Sequence, residues 1–67
     1  CASITIANTV TSVTATKGEF ATNSIGAGNN GTCGTVTIGG TIYWDGSAYQ
    51  NGGDTYLPTS PLVYPAP

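Results

Sequence analysis

Cys1, Cys33, Glu19, Asp45 and Asp54 are among the side chains of this sequence whose types could support bond-making, redox or metal chemistry. No histidine accompanies them, so neither a Ser-His-Asp nor a Cys-His nucleophile can be assembled. Two cysteines far apart in a chain without histidine also lack any zinc, haem or iron-sulfur spacing. Asp45, Asn51 and Asp54 fall on neighbouring turns and could offer oxygens to calcium. They lack the loop spacing with a terminal Glu that gives such a site specificity, and solvated turn residues are the plainer reading. Glu19 with Asp45 or Asp54 could act as a glycosidase pair only in a deep cleft, which so short a chain can hardly build. The expectation is a protein that is not an enzyme and uses no cofactor and no metal. Asn30-Gly31-Thr32 matches the acceptor pattern for N-glycosylation, which makes Asn30 a candidate modification site.

The cysteines leave three readings open. A Cys1 to Cys33 disulfide would close a loop of roughly 32 residues, contribute about 3 to 4 kcal/mol by the chain-entropy estimate, and place the protein in an oxidising compartment. Alternatively, a chain beginning Cys1-Ala2-Ser3 has the form of a processed bacterial lipoprotein, in which a lipidated Cys1 would leave Cys33 alone. Free thiols or an intermolecular bridge form the third reading. No signal peptide is present, so the sequence looks like a mature product or a fragment.

With 67 residues there is room for one core. A single Lys and no Arg, at a net charge of −2, provide no electrostatic footprint for nucleic acid or anionic lipid. No apolar run is long enough to span a bilayer as a helix. Chains this small rarely draw enough stability from one core, so a staple or a partner surface is expected.

The positioning elements read as strands. Ser3 to Ala7 alternates strictly and Thr9 to Thr14 nearly so, both rich in β-branched residues. Lys17-Gly18-Glu19 predicts a turn, Phe20 to Ile25 a short third strand returning Phe20 to the core, and residues 26–31 a flexible loop. Gly34 to Ile38, Gly39-Gly40 and Thr41 to Trp44 form a hairpin pattern. In that register Ile38 faces Thr41, Thr37 faces Ile42, Val36 faces Tyr43 and Thr35 faces Trp44. Val36, Ile38 and Tyr43 then share one face, Ile42 and Trp44 the other. Pairing across Asp45-Gly46 sets Ala48 against Tyr43 and Tyr49 against Ile42, which completes a meander. Thr55-Tyr56-Leu57 reads as a fourth strand. Pro58, Pro61, Pro65 and Pro67 predict an extended tail without regular pairing. The fold class is therefore all-β, a small and mostly antiparallel sheet over residues 1–57 with a Pro-rich tail over 58–67.

Cys1 to Val10 aligns with Cys33 to Ile42 with four identities. A hairpin at Ala7-Asn8 would match the one at Gly39-Gly40, although a Thr/Ile/Val-rich composition can produce such matches by chance. Tyr43, Trp44, Tyr49, Tyr56 and Tyr64 crowd the last part of the chain. Both meander faces are then partly apolar, and a sheet with two apolar faces and few charges needs cover. Another protein chain would make the domain an assembly subunit. A sugar stacked on Trp44, Tyr49 and Tyr56, with Asp45, Asn51 and Asp54 binding its hydroxyls, would make it a carbohydrate-binding or adhesion module.

The segment from Gly34 to Tyr49 resembles the carboxy-terminal meander of type IV pilins: a Thr/Val strand, a glycine turn, a Tyr/Trp strand and a short Asp-Gly turn. The long apolar helix with which pilins begin is missing, so the chain looks most like the β chain of a split pilin. That resemblance implies a non-catalytic, secreted subunit of a filament or cell-surface assembly, whose partners are itself or a helical pilin-like chain. Val36, Ile38, Tyr43 and Phe20 would form the core. Ile42, Trp44, Tyr49, Tyr56, Pro58, Pro61 and Tyr64 would meet the neighbours.

Overall fold

Val36–Ile38 (β3) and Thr41–Trp44 (β4) form an antiparallel hairpin, in a computed structural model that describes residues 1–66; Pro67, the end of the expected tail, lies outside the described residues. Gly39 and Gly40 take φ of 60° and 84°, the positive values that a tight hairpin turn demands at both central positions. The side chain of Tyr64 lies where a Cβ on Gly39 would stand. Ile38 faces Thr41 and Thr37 faces Ile42, as the alternation predicts.

Beyond that point the register shifts between Val36 and Thr37, and Val36 faces Trp44 rather than Tyr43. Tyr43 is the extra residue of a β-bulge, which turns two consecutive side chains toward one face. Tyr43 and Trp44 both pack against the core, while Ile42 points away and is exposed. The expected placement of Trp44 beside Ile42 on an outer face is thereby corrected.

The expected third strand of the meander shrinks to a bridge between Trp44 and Tyr49. The cause is Asp45, whose carboxylate accepts from the backbone N–H groups of Ser47 and Ala48, each at 2.8 Å. That capture shifts the turn by one residue, to Gly46-Ser47, with the Asp45 N–H donating to Ala48 O at 3.1 Å, and moves Tyr49 from Ile42 to Trp44.

Ile4–Ile6 (β1) joins the other edge of β3, and it does so in parallel. Ile4 faces Val36, Thr5 faces Thr37 and Ile6 faces Ile38. Cys1 and Cys33 form a disulfide at the same sequence offset of 32, so the two aligned segments lie side by side. The backbone N–H of Ile4 donates to Thr35 O at 2.9 Å and that of Gly39 to Ile6 O at 2.8 Å. The expected hairpin at Ala7-Asn8 does not form. Residues 7–10 form a turn in which the Val10 N–H donates to Ala7 O at 3.1 Å, but with neither Ala7 nor Asn8 at a positive φ it lacks the geometry that closes the two-residue hairpin at Gly39-Gly40. With Cys1 bridged, the lipidated and free-thiol readings of that residue give way.

The strand expected over Thr9 to Thr14 forms only at its end and runs one residue further, as Val13–Ala15 (β2), which pairs antiparallel with Leu62–Tyr64 (β5) in a separate two-stranded sheet. The segment expected as an unpaired tail thus supplies a strand, because Pro61 and Pro65 flank Leu62–Tyr64 without interrupting it. Leu62 is fully buried. Thr55-Tyr56-Leu57 is not a strand either. Gly53–Tyr56 forms one helical turn (α1) entered through Gly52 at φ 79°, and three residues of alternation are too few to fix a period of two. Gly53 lies against the carbonyl of Tyr43, with no room for a side chain. The turn drives Leu57 into the core beside Cys33, Val36, Ile38 and Leu62. Phe20 is 81% exposed, and residues 20–25 form turns and bends rather than the expected strand. Ile25 and Ala27 pack on the core instead. The fold is a small all-β one, with one parallel pair in an otherwise antiparallel arrangement.

Candidate functional site

The bulge at Tyr43, the Asp45 loop and the disulfide together position a concave surface. Trp44 is held in place by its indole N–H, which donates to Cys33 O at 3.1 Å, so its polar atom is satisfied internally and its ring remains as a wall. Tyr49 lies edge-on to it, with ring centroids 4.8 Å apart and planes at 68°, within the favourable range for aromatic pairs. Opposite stands the Gly-rich loop, shaped by the donation from Asn23 Nδ2 to Ala27 O at 2.8 Å. Between them lies a cavity of about 310 Å³, walled by Trp44, Tyr49, Thr22, Asn23, Asn30 and Thr32. Asn30 sits on its rim at a φ of 59° and is exposed.

A second aromatic group lies elsewhere. Tyr43 and Tyr56 have ring centroids 4.8 Å apart, and the Tyr56 hydroxyl donates to Val63 O. Burial, reinforced by the neighbouring phenols of Tyr43 and Tyr64, pushes the Tyr56 hydroxyl above its usual pKa of 10.0. Tyr56 is therefore committed to holding α1 against β5, apart from the Trp44–Tyr49 pair, and the three-ring platform expected for a sugar is not assembled.

The expected contact residues separate in the same way. Ile42, Tyr49 and Pro61 are exposed, whereas Trp44, Tyr56, Pro58 and Tyr64 are half-buried against the protein's own interior. Of the polar residues assigned to hydroxyl or calcium binding, Asn51 donates its amide to Ile42 O at 2.9 Å, sealing the outer edge of β4. Asp54 lies in the first turn of α1, where a negative charge is favoured. Among the described residues no group of three or more metal-ligating side chains comes together. Asn23 went unrecognised in the sequence: an Asn four residues before an Ala, amid other Asn and Gly, carries no signal of its own.

Asp45 is the electrostatically distinctive group. Besides Ser47 and Ala48 N–H, its carboxylate accepts from the Ser47 hydroxyl and from Gln50 Nε2, both at 3.0 Å. These bonds, led by the Ser47 and Ala48 backbone donors, lower its pKa from 3.8 to about 2. A depressed carboxyl pKa means that folding favours the ionised form. The stabilisation is thus complete above the unfolded-state pKa of about 3.9 and fades as the pH falls through about 2. Thermal melts should show wild type melting above Asp45→Asn at neutral pH, with the gap closing as the pH approaches about 2. A gap that persists in acid would assign the difference to something other than the carboxylate charge.

No family model, curated protein or solved structure matches this chain.

Proposed function

We propose that this chain is a non-catalytic structural subunit of an extracellular filament or cell-surface assembly, pilin-like in role, that meets copies of itself or a helical partner chain through exposed apolar side chains. The observation that carries the reading is Phe20, 81% exposed, on a chain that also leaves Ile42 and Val63 at 42% and 40%. With a net charge of −2, little electrostatic repulsion opposes association through such groups. The disulfide supports an oxidising, extracellular setting.

Trp44 is a poor probe of assembly, because its indole N–H and ring support the fold itself. Phe20→Ser and Ile42→Asn are the informative changes. Native mass spectrometry at micromolar protein should show oligomers for the unaltered chain and a shift to monomer for both variants. Their unfolding free energies should stay within about 0.5 kcal/mol of wild type, as for surface positions. An unaltered chain that stays monomeric, alone and with a helical pilin-like chain added, would remove the assembly reading.

A further inference from the structure

We propose that the cavity between the 26–31 loop and the Trp44–Tyr49 pair is a binding site for an uncharged pyranose sugar, taken either free or as the end of a glycan. The inference is independent of the assembly reading, since neither Phe20 nor Ile42 lines the cavity.

Size comes first. At about 310 Å³ the space falls at the small end of ligand cavities. One sugar ring with its hydroxyls suits it.

The walls then select the chemistry. No charged side chain lines the cavity. The nearest in sequence, Asp45 beside Gly46 of the wall, already has its carboxylate engaged by Ser47, Ala48 and Gln50. An ionic ligand would enter a neutral pocket and lose its hydration without a partner. The polar residues of the wall are Asn30, Thr22, Thr32 and Asn23, all neutral and able both to donate and to accept, although one Asn23 Nδ2 hydrogen is already given to Ala27 O. Sugar hydroxyls have the same dual character.

The aromatic wall supplies the second half of the recognition. Because the Trp44 N–H is spent on Cys33 O, the indole offers a ligand only apolar ring surface, to which the C–H faces of a pyranose are complementary. The ring is also fixed in place before any ligand arrives, which lowers the ordering cost of binding. The Tyr49 hydroxyl reaches Asn23 Oδ1 at 3.5 Å, a long bond that a ligand hydroxyl can replace with two shorter ones.

Trp44 is the sole tryptophan, so its fluorescence reports on this wall. Titration with glucose, galactose, mannose, N-acetylglucosamine and disaccharides of each, at millimolar concentrations, should give a saturable change with at least one of them and none with glucuronate. Saturation by a monosaccharide assigns a free sugar; saturation by disaccharides alone assigns a glycan end. Tyr49→Ala should weaken that binding about tenfold or more, and Tyr49→Phe by no more than about threefold. In the unaltered chain, sugar-induced amide NMR shifts should be confined to residues 22–36, 44–49 and Leu57, the segments that line the cavity. The proposal is overturned if no neutral sugar saturates the signal, if glucuronate binds equally well, if Tyr49→Ala keeps full affinity, or if the shifts fall elsewhere.

Discussion

Replacing both Cys1 and Cys33 with serine should lower the unfolding free energy by about 3 to 4 kcal/mol. The magnitude follows from the sequence separation of 32 across the bond, a closure entropy that the unfolded chain regains once the link is gone. A core of five buried side chains in a domain of this size supplies about 3 to 5 kcal/mol, so the bond contributes about as much as the core and its loss removes about half of their sum. The effect should concentrate at one edge. Cys1 precedes β1, a three-residue strand held by a short parallel ladder to β3, and Cys33 accepts the Trp44 indole bond. Denaturant titration with and without reductant measures the change. A loss below about 1 kcal/mol would mean that the β1–β3 ladder and the Trp44 anchor suffice by themselves.

Leu62→Ala should cost about 2 to 5 kcal/mol, the usual range for emptying a fully buried leucine site. Leu62 has no exposed surface and packs in the same cluster as Val36, Ile38 and Leu57. Its neighbour Val63, 40% exposed on the same strand, provides the internal control, and Val63→Ala should change stability by less than about 1 kcal/mol. Ending the chain at Leu57 should be worse than either, because it removes β5, the strand with which β2 pairs. Chemical denaturation of the three variants settles the order. Equal, small effects at Leu62 and Val63 would return residues 58–66 to the status of an appendage.

The hairpin at Gly39-Gly40 was legible because two glycines between alternating apolar residues fix turn and register together. The disulfide was legible as one of several options for two cysteines in a small chain. The bulge at Tyr43 was not, since nothing in Thr41-Ile42-Tyr43-Trp44 distinguishes a regular strand from one that admits an extra residue. What decides it is tertiary: Val36, Cys33 and the indole must meet. The strand Leu62–Tyr64 was hidden by its flanking prolines, which bar a central strand yet are harmless at the ends of an edge pairing. Leu57 was assigned to a strand because Thr55-Tyr56-Leu57 is too short to display a helical period, and only Gly52 and Gly53 ahead of it hinted at a change of direction. For the cavity, Trp44 and Tyr49 were recognisable as candidate contacts. Asn23 and Thr22 were not, because their approach to the rings depends on how the long 16–35 connection folds back.

The pairing of β2 with β5 joins residues 13–15 to residues 62–64, near opposite ends of the chain. Closing so wide a loop is the entropically hardest step in the fold, whereas the Gly39-Gly40 hairpin brings together close neighbours and forms on the microsecond scale. Loop closure therefore favours the hairpin over the two-stranded sheet as the earlier contact. During synthesis Val13–Ala15 emerges long before Leu62–Tyr64, and so distant a pairing is of the kind that slows folding.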